Sequence, residues 1–262
     1  MIKQLDFNTL PQHIRSKIED MRDGLKLTAV SYRYPETERE VTNQTEIFKY
    51  IGDLILQTRE GQQEFIIDEQ NEKYIGYLIA YVNKWETIFN RYSAELTKID
   101  GDLNEPIFLL GEKGVGKTLL MQITARFAEV MGLRDRTFIN TSSSELLNHM
   151  RVNGDIDYYT YNIGRITPKP GNPYLSKPYS VCLHDLGVER DKESKQKIYG
   201  TDMSSVTNDF LMARYELYQN NGLMCHVTTN LGIREITSLY PPRVIDRFKQ
   251  YNYITLTGDS RR

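Results

Sequence analysis

The stretch GEKGVGKT, Gly111 to Thr118, decides the fold of this chain. It matches G-x-x-x-x-G-K-[ST] at every fixed position. Glycines at these places let the backbone curl so that successive N–H groups point inward at phosphate oxygens. A helix that begins inside the motif adds partial positive charge at the same point. The flanks agree. PIFLL (106–110) reads as a short buried strand, and GKTLLMQITARFAEVMG (116–132) as a helix closed by Gly132. Gly111, Gly114, Val115, Gly116, Lys117, Thr118 and Leu119 are therefore the candidate nucleotide-binding residues. Lys117 is placed to reach the β- and γ-phosphates, and the Thr118 hydroxyl to bind Mg²⁺. ATP and Mg²⁺ are the expected ligands.

Working outward, strands and helices alternate downstream. RTFIN (136–140), YSVCLHD (179–185), LMCHVTTN (223–230) and YNYITLTG (251–258) read as further strands. Between them, SSSELLNHM (142–150) opens with a Ser142–Glu145 capping box, and SSVTNDFLMARYELYQ (204–219) is a helix ended by Asn221-Gly222. Such alternation predicts an α/β P-loop NTPase fold, a parallel sheet sandwiched by helices. The stretch 151–179 is different: it is rich in proline, glycine and tyrosine and has no period. A loop of this length in a compact domain is usually functional or mobile. Its tyrosines, with Arg151, Arg165, Lys169 and Lys177, suit stacking on a single nucleic-acid strand. An ordinary surface insertion, its tyrosines packed on the domain, is the simpler reading.

Upstream, the first hundred residues read as mostly helical. Pro11 to Asp23 is a short helix stopped by Gly24, and residues 25–42 read as linker. From Thr45, the residues Ile47, Ile51, Leu54 and Ile55 form a helical stripe ending near Gly61. A third helix is expected from Glu72 to Tyr92, with Tyr74, Leu78, Tyr81, Trp85, Ile88 and Phe89 on one face as core packing. The composition changes near Gly101–Pro106. Residues 1–100 are thus expected to be a small helical region for partner docking, and 101–262 the nucleotide-binding domain.

The bulk numbers narrow the classes. The net charge is −2, so any nucleic-acid contact must use a local patch. The two cysteines, Cys182 and Cys225, lie in apolar strands and read as buried thiols, with no disulfide framework or zinc signature. No run of about 18 apolar residues exists, and the first residues lack a secretory h-region. No membrane partner is expected, and the cytoplasm is the expected compartment.

The order GEKGVGKT, HDLGVE (184–189), ARYE (213–216), VTTN (227–230), RVIDRF (243–248) and GDSRR (258–262) resembles the AAA+ ATPases of the DnaC/DnaI helicase-loader type. Close relatives of that group include the IstB transposition helpers. The resemblance covers residues 104–262. It implies that Asp185 is the Walker-B acid and a magnesium-site residue, with Glu189 near it. Asn230 falls at the sensor-1 position and would orient the attacking water. Arg247, or Arg243 nearby, falls at the arginine-finger position and would act on ATP held by a neighbouring subunit. Arg262 falls where a sensor-2-like arginine is expected. Arg214 matches a family position without an evident role. A homo-oligomer is implied, with single-stranded DNA and a replicative helicase as partners. The alternatives are a transposase with duplex DNA, or a nucleotide-gated adaptor with little hydrolysis. A small-molecule kinase is disfavoured by TTN and DRF, which such an enzyme does not need.

One position departs from the group. Its third strand commonly ends DDLG, whereas this one ends His184-Asp185-Leu186-Gly187. Magnesium prefers oxygen ligands, and a neutral imidazole brings no charge. The resemblance therefore implies hydrolysis slowed by His184 and dependent on assembly.

Overall fold

The computed structural model describes residues 10–22, 34–58, 64–97, 101–160, 179–188, 197–198 and 201–260. The chain divides into two compact units, Met1–Leu103 with Thr118–Thr137, and Asn104–Lys117 with Phe138–Arg262.

The first unit is helical: α1 (Gln12–Arg22), α2 (Glu38–Gln57), α3 (Glu72–Asn83), α4 (Glu86–Thr97) and α5 (Lys117–Met131), the last belonging to it from Thr118 onward. Three sequence expectations need correction. The linker was placed as far as residue 42, but α2 starts at Glu38, because Thr37 Oγ1 accepts the Glu40 N–H as an N-cap. The single helix expected over Glu72–Tyr92 is two helices. Lys84 adopts a left-handed conformation at φ 59° and its N–H reaches the carbonyls of Ala80 and Tyr81, which ends α3. The reversal turns Phe89 of α4 back onto Tyr77 and Tyr81 of α3, with ring centroids 4.8 and 5.9 Å apart. All six residues of the aromatic stripe are buried, so it is core packing. The second helix ends at Gln57 with Thr58 as its C-cap, short of the end expected near Gly61, and Gly24 lies outside the described residues.

The second unit carries the sheet. Its strands are β1 (Ile107–Gly111), β2 (Phe138–Ser142), β3 (Ser180–Leu186), β6 (Cys225–Thr229) and β7 (Asn252–Leu256), in the order β2-β3-β6-β1-β7. All four pairings are parallel. A separate two-residue hairpin joins β4 (Lys197–Ile198) to β5 (Thr201–Asp202). The helices of this unit are α6 (Ser143–Asn153), α7 (Met203–Asn221), α8 (Ile233–Leu239) and α9 (Pro242–Phe248). Their apolar sides join alternate strand residues Phe108, Leu110, Val181, Leu183, Cys225 and Val227 in one core with Leu146, Phe210, Ile236, Val244 and Phe248. The Ser142–Glu145 capping box forms in full. The fold is an α/β P-loop fold, a five-stranded parallel sheet flanked by helices. Both cysteines are buried and free. Among the described residues, no helix is long and apolar enough to cross a membrane.

Candidate nucleotide site

Because all strands run the same way, their carboxyl ends share one edge, where ligands of open α/β sheets bind. At that edge stand the GEKGVGKT loop after β1, Asn230 after β6 and Asp185 near the end of β3. Strand β6 lies between β1 and β3, so Asn230 sits between the loop and the acid.

The loop depends on glycine. At Gly111 a Cβ would lie 2.4 Å from the carbonyl oxygen of Leu256, and that backbone cannot yield. Gly114 has φ +95°, and a Cβ there would stand 2.4 Å from Ser260 Oγ. The segment after β7 therefore runs beside the loop, with Ser260 two residues short of Arg262. Val115 and Lys117 are buried, while Gly116, Thr118 and Leu119 are half-buried. Lys117 Nζ donates to the carbonyls of Gly111 and Glu112 and to Asn230 Oδ1, each at 2.7 Å.

The acid sits on a bulge. Strand β3 pairs Leu183 with Val227 and then Leu186 with Thr229, so His184 and Asp185 both face the single residue Thr228. Asp185 has φ 56°, a left-handed conformation that costs a non-glycine residue about 1 kcal/mol. Two threonines hold the distortion. Thr228 Oγ1 accepts the Asp185 N–H at 3.3 Å, and Thr229 Oγ1 donates to the Leu186 carbonyl at 2.6 Å. Strain of this kind collects where a side chain must be re-aimed for function.

His184 is 3% exposed. Its Nε2 lies 2.9 Å from Asn140 Oδ1 and its Nδ1 lies 3.2 Å from Thr228 Oγ1. With the proton on Nε2, Asn140 accepts from the ring and the Thr228 hydroxyl donates to it, so both nitrogens are used. Burial pushes its pKa down to about 4, leaving the imidazole neutral at pH 7. His184 thus forms a structural link from β3 to β2 and β6.

Arg247 lies at the other end of the sheet. It lines a cleft with Pro106, which precedes β1, and Tyr251, which precedes β7. Its guanidinium stacks 4.3 Å from the Tyr215 ring centroid and lies 3.6 Å from Asp246. Arg243 is exposed on the first turn of α9. Arg214, which had no role by sequence, is 1% exposed. It donates to the Tyr179 carbonyl at 2.7 Å and the Met224 carbonyl at 3.3 Å, clamping the amino ends of β3 and β6.

Glu189, Arg262 and residues 161–178 lie outside the described residues. At the edges of that stretch, Tyr158 meets the rings of Tyr159 and Tyr179 at 4.9 and 6.4 Å. Among the described residues, no group of three or more His, Cys, Asp or Glu could hold a metal ion. The two residues that the sequence offers for Mg²⁺, Thr118 with its hydroxyl and Asp185 with its carboxylate, lie in different units. That set is small but oxygen-only, and it suits an ion that keeps most of its waters and binds through phosphates. Sequence reading missed Asn140, Thr228 and Thr229. Their signal was polar residues in otherwise apolar strands.

No protein-family model matches this chain, and no curated protein does. Among solved structures it is similar to DnaI at 18% identity and a TM-score of 0.46, covering 76% of this chain and 87% of that one. It is similar to the DnaC helicase loader at 14% identity and 0.44, covering 74% and 93%. It is also similar to AMPPCP-bound DnaA from Aquifex aeolicus at 16% identity and 0.44, covering 74% of this chain. The chain spans about half of DnaA, 49% of its length. Likeness at this level carries no functional argument, and function has to be read from the residues.

Proposed function

We propose that this chain binds ATP with Mg²⁺ and hydrolyses it slowly, as an AAA+-type ATPase that assembles on DNA to load a replicative helicase. The observation that carries the nucleotide reading is the 2.7 Å bond from Lys117 to Asn230, which brings the phosphate loop and the sensor-1 position together at the carboxyl edge. Lys117 neutralises the phosphates, Thr118 and Asp185 hold the magnesium, and Asn230 orients the attacking water. Mg²⁺, when bound, supplies charge neutralisation on the phosphates. Arg247 stands one strand length, roughly 16 Å, from its own loop. It therefore completes only a neighbour's site, and the active form is a homo-oligomer. Glu189 and Arg262 are proposed to assist at the γ-phosphate. Single-stranded DNA is the proposed nucleic acid, with residues 151–179 as one contact and the helical residues 1–100 as the docking region for the partner protein.

His184 supports a second reading. Both its nitrogens are committed within the fold, so the site holds one Walker-B acid where two are expected. A nucleotide-gated adaptor needs no more. ATP turnover of the full chain, with and without single-stranded DNA, separates the readings. Asp185→Asn is the informative variant, because Asn tolerates the left-handed backbone that Ala would strain. It and Arg247→Ala are each expected to lower turnover by roughly a hundredfold. Turnover unchanged in both removes the hydrolytic reading, and tight ATP binding with no wild-type turnover selects the adaptor. Co-purification with a transposase instead of a helicase would move the chain to the IstB-like role.

A further inference from the structure

Asn230 makes a bond that its place at a strand tip does not require. Its Oδ1 accepts one proton of Lys117, and the carbonyls of Gly111 and Glu112 accept others, all at 2.7 Å. Three acceptors match the three protons of an ammonium group. A phosphate oxygen that arrives at Nζ has to displace one of them. The two carbonyls belong to the loop backbone, and Gly111 is paired with Leu256 in the sheet, so turning them away means re-forming the loop. Asn230 is exposed and carried on a side chain with two rotatable bonds. It is the acceptor that can leave.

We propose that Asn230 is a latch on Lys117, an inference that rests on the nucleotide-binding reading above. In the latched state Asn230 competes with phosphate for the ammonium group and holds Lys117 against its own loop. On nucleotide binding the carboxamide releases Lys117, and rotation turns its NH₂ group from a bystander into a donor toward the γ-phosphate. The same residue that orients water in the loaded site therefore lowers affinity in the unloaded one. Its position just after β6 is what makes both states possible, because that strand's tip lies between the loop and Asp185.

The probe is ADP, which lacks the γ-phosphate, so any contact of Asn230 with that group does not enter. Calorimetric titration of the full chain compares wild type with Asn230→Ala and Asn230→Ser, both too short to reach Lys117. Each variant is expected to bind ADP roughly three- to tenfold more tightly than wild type. In a Lys117→Ala background, adding Asn230→Ala leaves ADP affinity unchanged, because the competition runs through the ammonium. Equal or weaker ADP binding by the single Asn230 variants overturns the latch, while ADP binding by wild type still upholds the nucleotide reading. A wild-type chain that binds neither ADP nor ATP overturns that reading and the latch together.

Discussion

At the scale of single residues, His184 changes meaning between sequence and structure. As a letter in HDLG it is a lost acid. In the fold it is a neutral ring joining three strands, bonded to Asn140 of β2 and Thr228 of β6. Its folded pKa of about 4 lies below the ordinary 6.5, so the unfolded chain takes up the proton first. Stability from this group is therefore complete above pH 6.5, falls as pH drops toward 4 and is gone below it. The displacement corresponds to about 3 kcal/mol. Urea denaturation across pH 4 to 7 is expected to show this slope in wild type and lose it in His184→Gln, the difference between the two removing other titrations. The exchange of acid for imidazole was legible in the sequence. The partners were not, since Asn140 and Thr228 lie 44 residues away on either side and meet His184 only through strand pairing.

At the scale of elements, what could be read followed from local pattern. Apolar runs marked the five sheet strands, and Gly132 and Gly222, at φ 76° and 68°, marked helix ends. The break between α3 and α4 escaped because its left-handed residue is Lys84, with no glycine to announce it. The β3 bulge escaped because a bulge exists only relative to a partner strand. Lys84 gives a direct test of the first case. Lys84→Gly removes a Cβ from a left-handed position, and the ion pair it forfeits with Asp135 is exposed and worth little. The net change is expected to be stabilising by roughly 0.5–1 kcal/mol. A higher urea midpoint at unchanged m value would show it, and a lower midpoint would mean that the pair outweighs the backbone strain.

At the scale of the whole molecule, the two ends of one parallel sheet carry the residues of the proposed reaction. The loop, Asn230 and Asp185 stand at the carboxyl edge, while Arg247 stands with Pro106 and Tyr251 at the amino edge. Under the proposed ATPase reading, strands of five residues keep Arg247 from its own loop, and a complete site would take Arg247 from a second copy. Tyr215 holds the guanidinium in a defined place, 4.3 Å from its ring centroid. Mixing variants tests the arrangement without any change of condition. Lys117→Ala lacks a phosphate lysine but offers an intact Arg247, and Arg247→Ala has the reverse. Each alone is expected to turn over at a few per cent of the wild-type rate or less. An equal mixture places an intact loop beside an intact arginine at about a quarter of random interfaces, so about a quarter of wild-type turnover should return. A mixture as inactive as its components would mean that Arg247 reaches no neighbour's phosphate, and that its stacking on Tyr215 is a structural end in itself.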